Sequence, residues 1–330
     1  MSARNARVGV AVTARIVRVG FAAVRLRLVV NPVASRVTAH QRIPIADALA
    51  SEHDLEVVET GERGDAEGLA RDAAAHGFDA VVTLGGDGTL NEAACGLVRS
   101  ATALAVLPGG STNVFARTLG VAHDPLTATH QLLRALAARS FRRVGVGIAS
   151  PSDGPERTFL FHAGCGFDAA IVAQMEQRWY VKRYLAHPAF TWSTITTWLR
   201  HYDRKTQLCV TVSDDRVASG PYVVVSNSDP YTYVARRRLT IAPDAGLDRA
   251  LAVTVVHHLQ PMLLVRAALS GLGSARVVET SPDITQRADV DRVDITGDRP
   301  FPWQVDGDYL GYISRLTARY EPDVLTLVMP

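Results

Sequence analysis

The run Val81-Val82-Thr83-Leu84-Gly85-Gly86-Asp87-Gly88-Thr89-Leu90-Asn91-Glu92 constrains the fold of this chain more than any other stretch. An uncharged, β-branched segment stops in two glycines, an aspartate and a third glycine, and a helix-compatible Leu-Asn-Glu-Ala-Ala follows. The pattern predicts a strand, a tight turn and a helix. Glycine admits positive φ and lets a ligand approach the backbone. The new helix offers unpaired N–H groups at the positive end of its dipole. That chemistry suits phosphate, although an ordinary glycine-rich strand-to-helix loop has the same local pattern.

The neighbouring segments repeat the theme. Leu26 to Val30 reads as a strand ending in Asn31-Pro32-Val33-Ala34-Ser35, and Leu55 to Thr60 as a second strand. Helices are predicted up to about Ala50 and from about Asp65 to His76. Ala103 to Leu107 forms a fourth strand closed by Pro108-Gly109-Gly110-Ser111-Thr112-Asn113, with a helix running on through Leu119. Strands alternating with helices predict a parallel sheet with crossover helices. In such sheets ligands bind beyond the carboxyl ends of the strands. The turns at Asn31, Gly85 and Pro108, with Thr60 at the end of the remaining strand, are therefore predicted to converge and to surround one anion with N–H and hydroxyl donors.

At 330 residues and 47% hydrophobic content, the chain has room for two domains with real cores. Its net charge of +2 and its lack of long like-charged runs argue against a nucleic-acid partner. Lys182 and Lys205 are the only lysines, and neither follows a Walker A glycine pattern. Cys95, Cys165 and Cys209 are odd in number and widely spaced, as in a reduced, cytosolic protein. Residues 1–24 lack the uninterrupted apolar core of a signal peptide and read as a disordered or mis-started extension. No window reaches the ~20 apolar residues of a membrane span.

Beyond a helical stretch from about Leu126 to Ala138 the texture becomes β-rich, with short runs at 141–149, 158–163, 208–212, 222–226, 251–256 and 291–296. Phe161 to Gly166 is a further strand ending in glycines before a helix, where Asp168 reads as an N-cap or as a group on the substrate side. His162 reads as a core histidine. Trp179, Tyr180, Tyr184, Phe190, Trp192, Trp198 and Tyr202 make residues 179–203 aromatic-rich. That segment reads as a helical insertion packed on the β domain or, with Arg178, Lys182, Arg183 and Arg200, as a membrane-docking surface.

Gly85-Gly86-Asp87-Gly88-Thr89-Leu90-Asn91-Glu92, the Asn31-Pro32 turn and Pro108-x-Gly-Ser-Thr-Asn-x-x-Ala116-Arg117 together resemble the diacylglycerol kinase catalytic family, which includes bacterial lipid kinases and sphingosine kinases. NAD kinases and phosphofructokinases share only the Gly-Gly-Asp-Gly core. The resemblance implies an α/β architecture: a Rossmann-like nucleotide domain over 25–140, completed by about 313–330, and a β-sandwich lipid-substrate domain over 141–312 carrying a helical insertion near 168–203. It places the active site in a cleft between the two.

The resemblance also implies ATP and Mg²⁺ as co-substrate and cofactor, and a lipid hydroxyl as acceptor. Residues expected to hold ATP are Asn31, Pro32, Ser35 and Thr60, then Gly85, Gly86, Asp87, Gly88, Thr89, Asn91 and Glu92, and finally Gly110, Ser111, Thr112 and Asn113. A carboxylate among phosphate donors repels the ligand unless a cation intervenes, which assigns Asp87 to Mg²⁺ and to transition-state organisation. Pro302-Trp303-Gln304-Val305-Asp306-Gly307-Asp308 is similar to the family's Asp-Gly-Glu segment, with Asp308 where glutamate is usual, although Asp-Gly is also a common hairpin turn. Asp308 or Asp306 is the expected base.

Near Leu247 to Leu251, where many relatives hold a structural magnesium through an Asp-Gly pair, this chain has Arg249-Ala250. A guanidinium cannot ligate a cation. Either Asp248 serves from one position earlier or Arg249 replaces the ion with a salt bridge. The expected setting is the cytoplasm, peripherally at the inner face of the membrane, with a homodimer admitted. A soluble NAD-kinase-like enzyme and a weakly active nucleotide-binding regulator remain as alternatives.

Overall fold

The structure, a computed structural model, describes residues 23–177, 206–213 and 215–330. The N-terminal extension up to residue 22 and the aromatic segment from Trp179 to Tyr202 lie outside the described residues. The chain divides into two compact units, residues 1–143 with 325–330, and residues 144–324.

In the first unit β1 (Arg25–Val30), β2 (Asp54–Glu59), β3 (Ala80–Gly85) and β4 (Ala103–Pro108) form a parallel sheet in the order β2-β1-β3-β4. α1 (Ala39–Ala50) and α5 (Pro125–Ala137) pack together, with Ile45, Leu49, Leu132 and Leu136 closing on Leu26, Leu28, Val82 and Leu84. Alternation along the strands turns Arg27, Val29, Val81 and Thr83 to the other face. There α2 (Asp65–Ala75) packs on α3 (Asp87–Leu97). These two helices approach so closely that a Cβ at Gly96 would come within 2.4 Å of the Glu67 carbonyl oxygen.

Arg27 is a charge inside this layer. Its guanidinium donates to Glu56 Oε2 at 2.9 Å, Asp72 Oδ2 at 2.6 Å and the Leu69 carbonyl at 2.9 Å, and it lies over the Phe78 ring. β1, β2 and α2 are thereby tied by one side chain. Asp72 is held below the usual carboxylate range, first by its hydrogen bond from Arg27.

The second unit begins within β5 (Phe141–Pro151) and contains β6 (Arg157–Phe159), β7 (His162–Gly166), α6 (Phe167–Gln177), β8 (Leu208–Val212), β9 (Asp215–Gly220) and β10 (Tyr222–Ser226). Next come a two-stranded ribbon, β11 (Thr232–Val234) and β12 (Arg237–Leu239), and then β13 (Leu251–Val256), α7 (Pro261–Gly271), α8 (Arg276–Thr280), β14 (Ile284–Val290), β15 (Arg292–Val305) and β16 (Asp308–Val328). The antiparallel order is β14-β13-β10-β7-β15-β16. β15 pairs with β8 through Val293 to Gly297 and with β7 through Trp303 to Val305, with a register break against β16 between Thr296 and Phe301. One strand thus serves two halves of a β-sandwich-like layer pair. The core draws Val210, Val223, Val253, Ile295, Phe301, Trp303 and Leu316 from both halves.

β16 runs on into the first unit, where Leu327 pairs in parallel with Leu104. The units change at Arg143/Val144 and Val324/Leu325. The strand anticipated over 158–163 is two strands, β6 and β7, interrupted at Leu160 and Phe161, whose N–H groups bond to the Asp306 carboxylate instead of a ladder partner. Among the described residues no helix is long and apolar enough to cross a membrane.

Arg27→Ala is predicted to destabilise the first unit by about 2 kcal/mol, since it strands two acidic partners and exposes the Phe78 face. Both carboxylates are partly solvated, which limits the loss. Denaturant unfolding with an unchanged midpoint would contradict this role.

Candidate functional site

The strand ends of β1, β3 and β4, the latter two rich in glycine, are bonded into one body. Asn31 N–H donates to the Leu84 carbonyl at 3.0 Å, Gly109 N–H to the Gly85 carbonyl at 2.7 Å, and Arg36 N–H to the Gly109 carbonyl at 2.9 Å. Asn31 Nδ2 donates to Thr89 Oγ1 at 2.9 Å. Thr60 joins from the end of β2, its N–H donating to the Val30 carbonyl at 2.9 Å.

Glycine is required here by crowding. A Cβ on Gly110 would stand 2.7 Å from Gly86 Cα, one on Gly109 would stand 2.6 Å from Val37 Cγ2, and one on Gly85 would strike Thr89 at 2.8 Å. Gly86 is the N-cap of α3 and has no side-chain cap, so the N-terminal N–H groups around Gly88 and Thr89 form an anion-favouring end without a competing carboxylate cap. Ser35 and Ser111 are exposed, and Pro32, Thr60, Gly88 and Thr112 are partly so. A phosphate-sized anion suits these donors.

Besides Asn31 and Thr89, four of the polar residues expected to face the ligand have structural engagements. Asn113, buried and left-handed at φ 49°, accepts from Gly110 N–H and donates to the Gly110 carbonyl, both at 2.8 Å. Its side chain closes the Gly110–Asn113 loop. The Glu92 carboxylate accepts from Gly64 N–H at 2.9 Å and Ala66 N–H at 3.3 Å, anchoring the start of α2. Asn91 is buried, with Cys95 Sγ 3.8 Å from its Oδ1. Asp87 accepts from Val114 N–H at 2.9 Å and Phe115 N–H at 3.2 Å, fixing the start of α4 (Val114–Thr118). Burial raises the Asp87 carboxyl above its usual range, against the lowering effect of these two N–H bonds. A cation beside it would relieve that burial cost.

Basic groups adjoin the same turns. The Arg36 guanidinium bonds the His123 ring, and burial, then Arg36 and Arg117, hold His123 below the ordinary histidine range. Local sequence does not link Arg36 to His123, because only the fold brings the loop after β1 beside the segment before α5. A run of turn residues ending in an arginine, Ser35-Arg36, is the one local hint.

In the second unit the two carboxylates of the Asp-Gly-Asp turn have different surroundings. Asp306 and Gly307, with φ of 48° and 87°, make a two-residue hairpin turn between Val305 and its ladder partner Asp308. Buried Asp306 accepts from Leu160, Phe161 and His162 N–H groups at 2.7, 3.0 and 2.9 Å, and its own N–H donates to the His162 carbonyl. Such a carboxylate is a clamp, with both oxygens committed. Asp308, across the turn, is partly exposed.

Asp168 is not an N-cap. It lies within the first turn of α6, wholly buried, and accepts from Tyr231 Oη and Gln304 Nε2, both at 2.8 Å, and from the Tyr222 hydroxyl. A Cβ on Gly164 would fall 1.7 Å from its Oδ2, so the glycine makes room for the cluster. Burial pushes Asp168 up to about 6 despite these donors. His162 stacks on Tyr231 at 4.3 Å, has no partner for its Nδ1, and is pushed down to about 3 by burial.

Near Leu247 to Leu251, Arg249 bridges two carboxylates, donating from Nε to Asp289 Oδ1 at 2.9 Å and from Nη1 to Asp244 Oδ1 at 3.3 Å. The guanidinium stands where a structural cation would need its ligands, so the residues present do not fit that metal. Among the described residues no three metal-ligating side chains converge anywhere.

The two buried titrating groups oppose each other. His162, near 3 folded against an ordinary 6.5, contributes stability present above 6.5 and lost as pH falls toward 3. Asp168, near 6 against 3.8, contributes stability present below 3.8 and lost as pH rises through 6. His162→Gln is therefore predicted to gain stability relative to the parent chain as pH falls from 6.5 to 3.8. Melting curves displaced equally at every pH would contradict the assignment.

Residues 25–143 match the model of the diacylglycerol kinase catalytic domain, and residues 162–329 match that of the YegS C-terminal NAD kinase beta sandwich-like domain. A probable lipid kinase YegS-like protein of Chromohalobacter salexigens is 39% identical over 123 residues, 36% of this chain and 37% of that protein. One from Pseudomonas aeruginosa is 32% identical over 157 residues, 47% of this chain and 48% of that protein. The chain therefore aligns with less than half the length of these curated relatives. Among solved structures, a putative diacylglycerol kinase from Bacillus anthracis superposes with a TM-score of 0.69 at 20% identity, covering 93% of this chain and 97% of that one. An NAD kinase from Archaeoglobus fulgidus in complex with ATP gives 0.51 at 12% identity, covering 92% and 93%. At these identities the structural likeness is one of fold.

Proposed function

The chain belongs to the diacylglycerol kinase catalytic-domain family of lipid kinases, with a YegS-type C-terminal domain, and from that membership we propose that it transfers the γ-phosphate of ATP to a lipid hydroxyl. The acceptor class is diacylglycerol or a sphingoid or related lipid. The observation that carries this reading is the bonding of the strand-end turns at Asn31, Gly85 and Gly109 around bare glycine backbone, next to the uncapped start of α3.

Phosphoryl transfer asks a protein for positioned phosphates, neutralised charge and an aligned acceptor. In this reading N–H groups around Gly86, Gly88 and Thr89 and the hydroxyls of Ser35, Thr60, Ser111 and Thr112 hold the phosphates. Arg36 adds positive charge beside them. Mg²⁺ would accompany ATP and spread the phosphate charge. Asp87 is the protein group that would hold it, with the lone pairs not used by Val114 and Phe115.

On the acceptor side Asp308 is the base that takes the hydroxyl proton. Asp306 is reassigned from candidate base to clamp, because three N–H donors occupy its oxygens. The enzyme would work in the cytoplasm, peripherally at the inner face of the membrane that holds its substrate.

The purified chain with γ-labelled ATP and Mg²⁺ is predicted to label a dispersed lipid, with mass spectrometry of a lipid extract identifying which one. Label in NAD instead would overturn the choice of acceptor. Asp87→Asn is predicted to abolish transfer. Asp308→Asn is predicted to lower turnover by roughly 10²–10⁴-fold with little change in melting temperature. Asp306→Asn is predicted to lower stability by about 1–3 kcal/mol, having exchanged an acceptor for a donor against a buried N–H. The reverse pattern in the two variants would exchange their roles.

A further inference from the structure

Helix α7 is apolar on two opposite faces. Leu263 is buried, and it and the adjacent Leu264 and Ala267 pack against Val256, Val278 and Ile284. Met262, Val265, Arg266 and Leu269 fall at i, i+3, i+4 and i+7 and share the other face. Met262 is 69% exposed and Leu269 66%. A helix packed by one face normally turns polar residues outward. Here the outer stripe carries methionine, valine and leucine, with Arg266 as its charge.

A basic ribbon joins the far end of this stripe. Thr240 N–H donates to the Gly271 carbonyl at 2.9 Å, and Leu239 Cδ1 lies 3.0 Å from where a Gly271 Cβ would be. Strand alternation puts Arg237 on the same ribbon face as Leu239, and Val234 is the ladder partner of Arg237. Val234 is half exposed, and Arg236, Arg237 and Arg276 stand in solvent. Between the ribbon and the turn after α7 is a hollow of about 520 Å³ lined by Arg237, Arg238, Thr240 and Ser274. Arg238 is already paired with Asp229 at 2.9 Å, which among the described residues leaves Arg237 as the uncommitted charge of the hollow.

We propose that the outer face of α7 and the β11–β12 ribbon form a docking surface for an anionic lipid bilayer. Met262, Leu269 and Val234 enter the acyl boundary while Arg237, Arg266 and Arg236 meet headgroups, the division of labour of an interfacial helix. Charge selects this occupant over a second copy of the chain. Two-fold packing of the same patch on itself would bring arginines against arginines. The proposal rests on the lipid-kinase reading for its purpose, since a kinase of a membrane lipid must meet a bilayer, but its test uses no activity.

The full chain is sedimented with vesicles of phosphatidylcholine alone and of phosphatidylcholine with phosphatidylglycerol. Binding is expected on the anionic vesicles, much weaker on the neutral ones, and falling as salt is raised. Met262→Asp with Leu269→Asp is expected to reduce binding at least ten-fold, and Arg237→Gln with Arg266→Gln to weaken it roughly five-fold per arginine. All four side chains are outside the catalytic machinery and exposed or partly exposed, so melting temperatures and phosphorylation of detergent-dispersed lipid stay at the parent level. Failure of the parent chain to bind anionic vesicles, or unchanged binding in both variants, overturns the proposal. So does a parent dimer that the Met262/Leu269 variant converts to monomer with vesicle binding unaltered. Intact vesicle binding without phosphorylation of any lipid would instead count against the enzyme reading alone.

Discussion

The contact between the backbones of Gly86 and Gly110 sets how near the ends of β3 and β4 can come, and the first unit is arranged around that approach. Parallel pairing runs up to Gly85 against Pro108, and the chain then continues the pairing without side chains, through the Gly109 N–H to the Gly85 carbonyl. Asn113 folds the second loop back on Gly110, and Asp87 reaches over to start α4. The result is a rim of amide groups held rigid by polar side chains that are themselves occupied. Preorganised donors of this kind need no rearrangement when charge arrives, which is the property phosphoryl transfer uses.

Much of this unit is legible in the sequence. β1, β3 and β4 are short, largely apolar runs stopped by Asn-Pro, Gly-Gly and Pro-Gly, and the parallel rule then dictates that these stops share one edge. What local pattern does not disclose is the engagement of individual side chains. Glu92 and Asn113 sit within the motif yet bond to backbone, at Gly64 and Gly110. Asp87 likewise has backbone N–H partners 27 and 28 residues away. Motif membership identifies the place, while the direction of each side chain depends on chain that arrives from elsewhere.

The second unit was less legible because its chemistry is nonlocal. The clamp at Asp306 takes N–H groups from residues 144 to 146 positions away, and nothing near an Asp-Gly turn announces this. Asp168 has the spacing of a helix cap, but its partners Tyr231 and Gln304 come from other parts of the chain. α7 has apolar residues all round, so its period is blurred, and β14 alternates weakly through Gln286, Arg287 and Asp289. Arg249 is the opposite case. The departure from an Asp-Gly pair is visible in the sequence, and the structure shows what the arginine does there: it bridges Asp244 and Asp289.

Calorimetric titration of ATP with Mg²⁺ into the parent chain and into Gly110→Ala asks whether the close approach of Gly86 and Gly110 builds the nucleotide site. The added methyl would stand 2.7 Å from Gly86 Cα and must push the two strand ends apart. Saturable binding by the parent chain and at least a ten-fold loss in the variant are expected, with both still cooperatively folded. Equal affinity in the two proteins, or no binding by the parent chain, would contradict this.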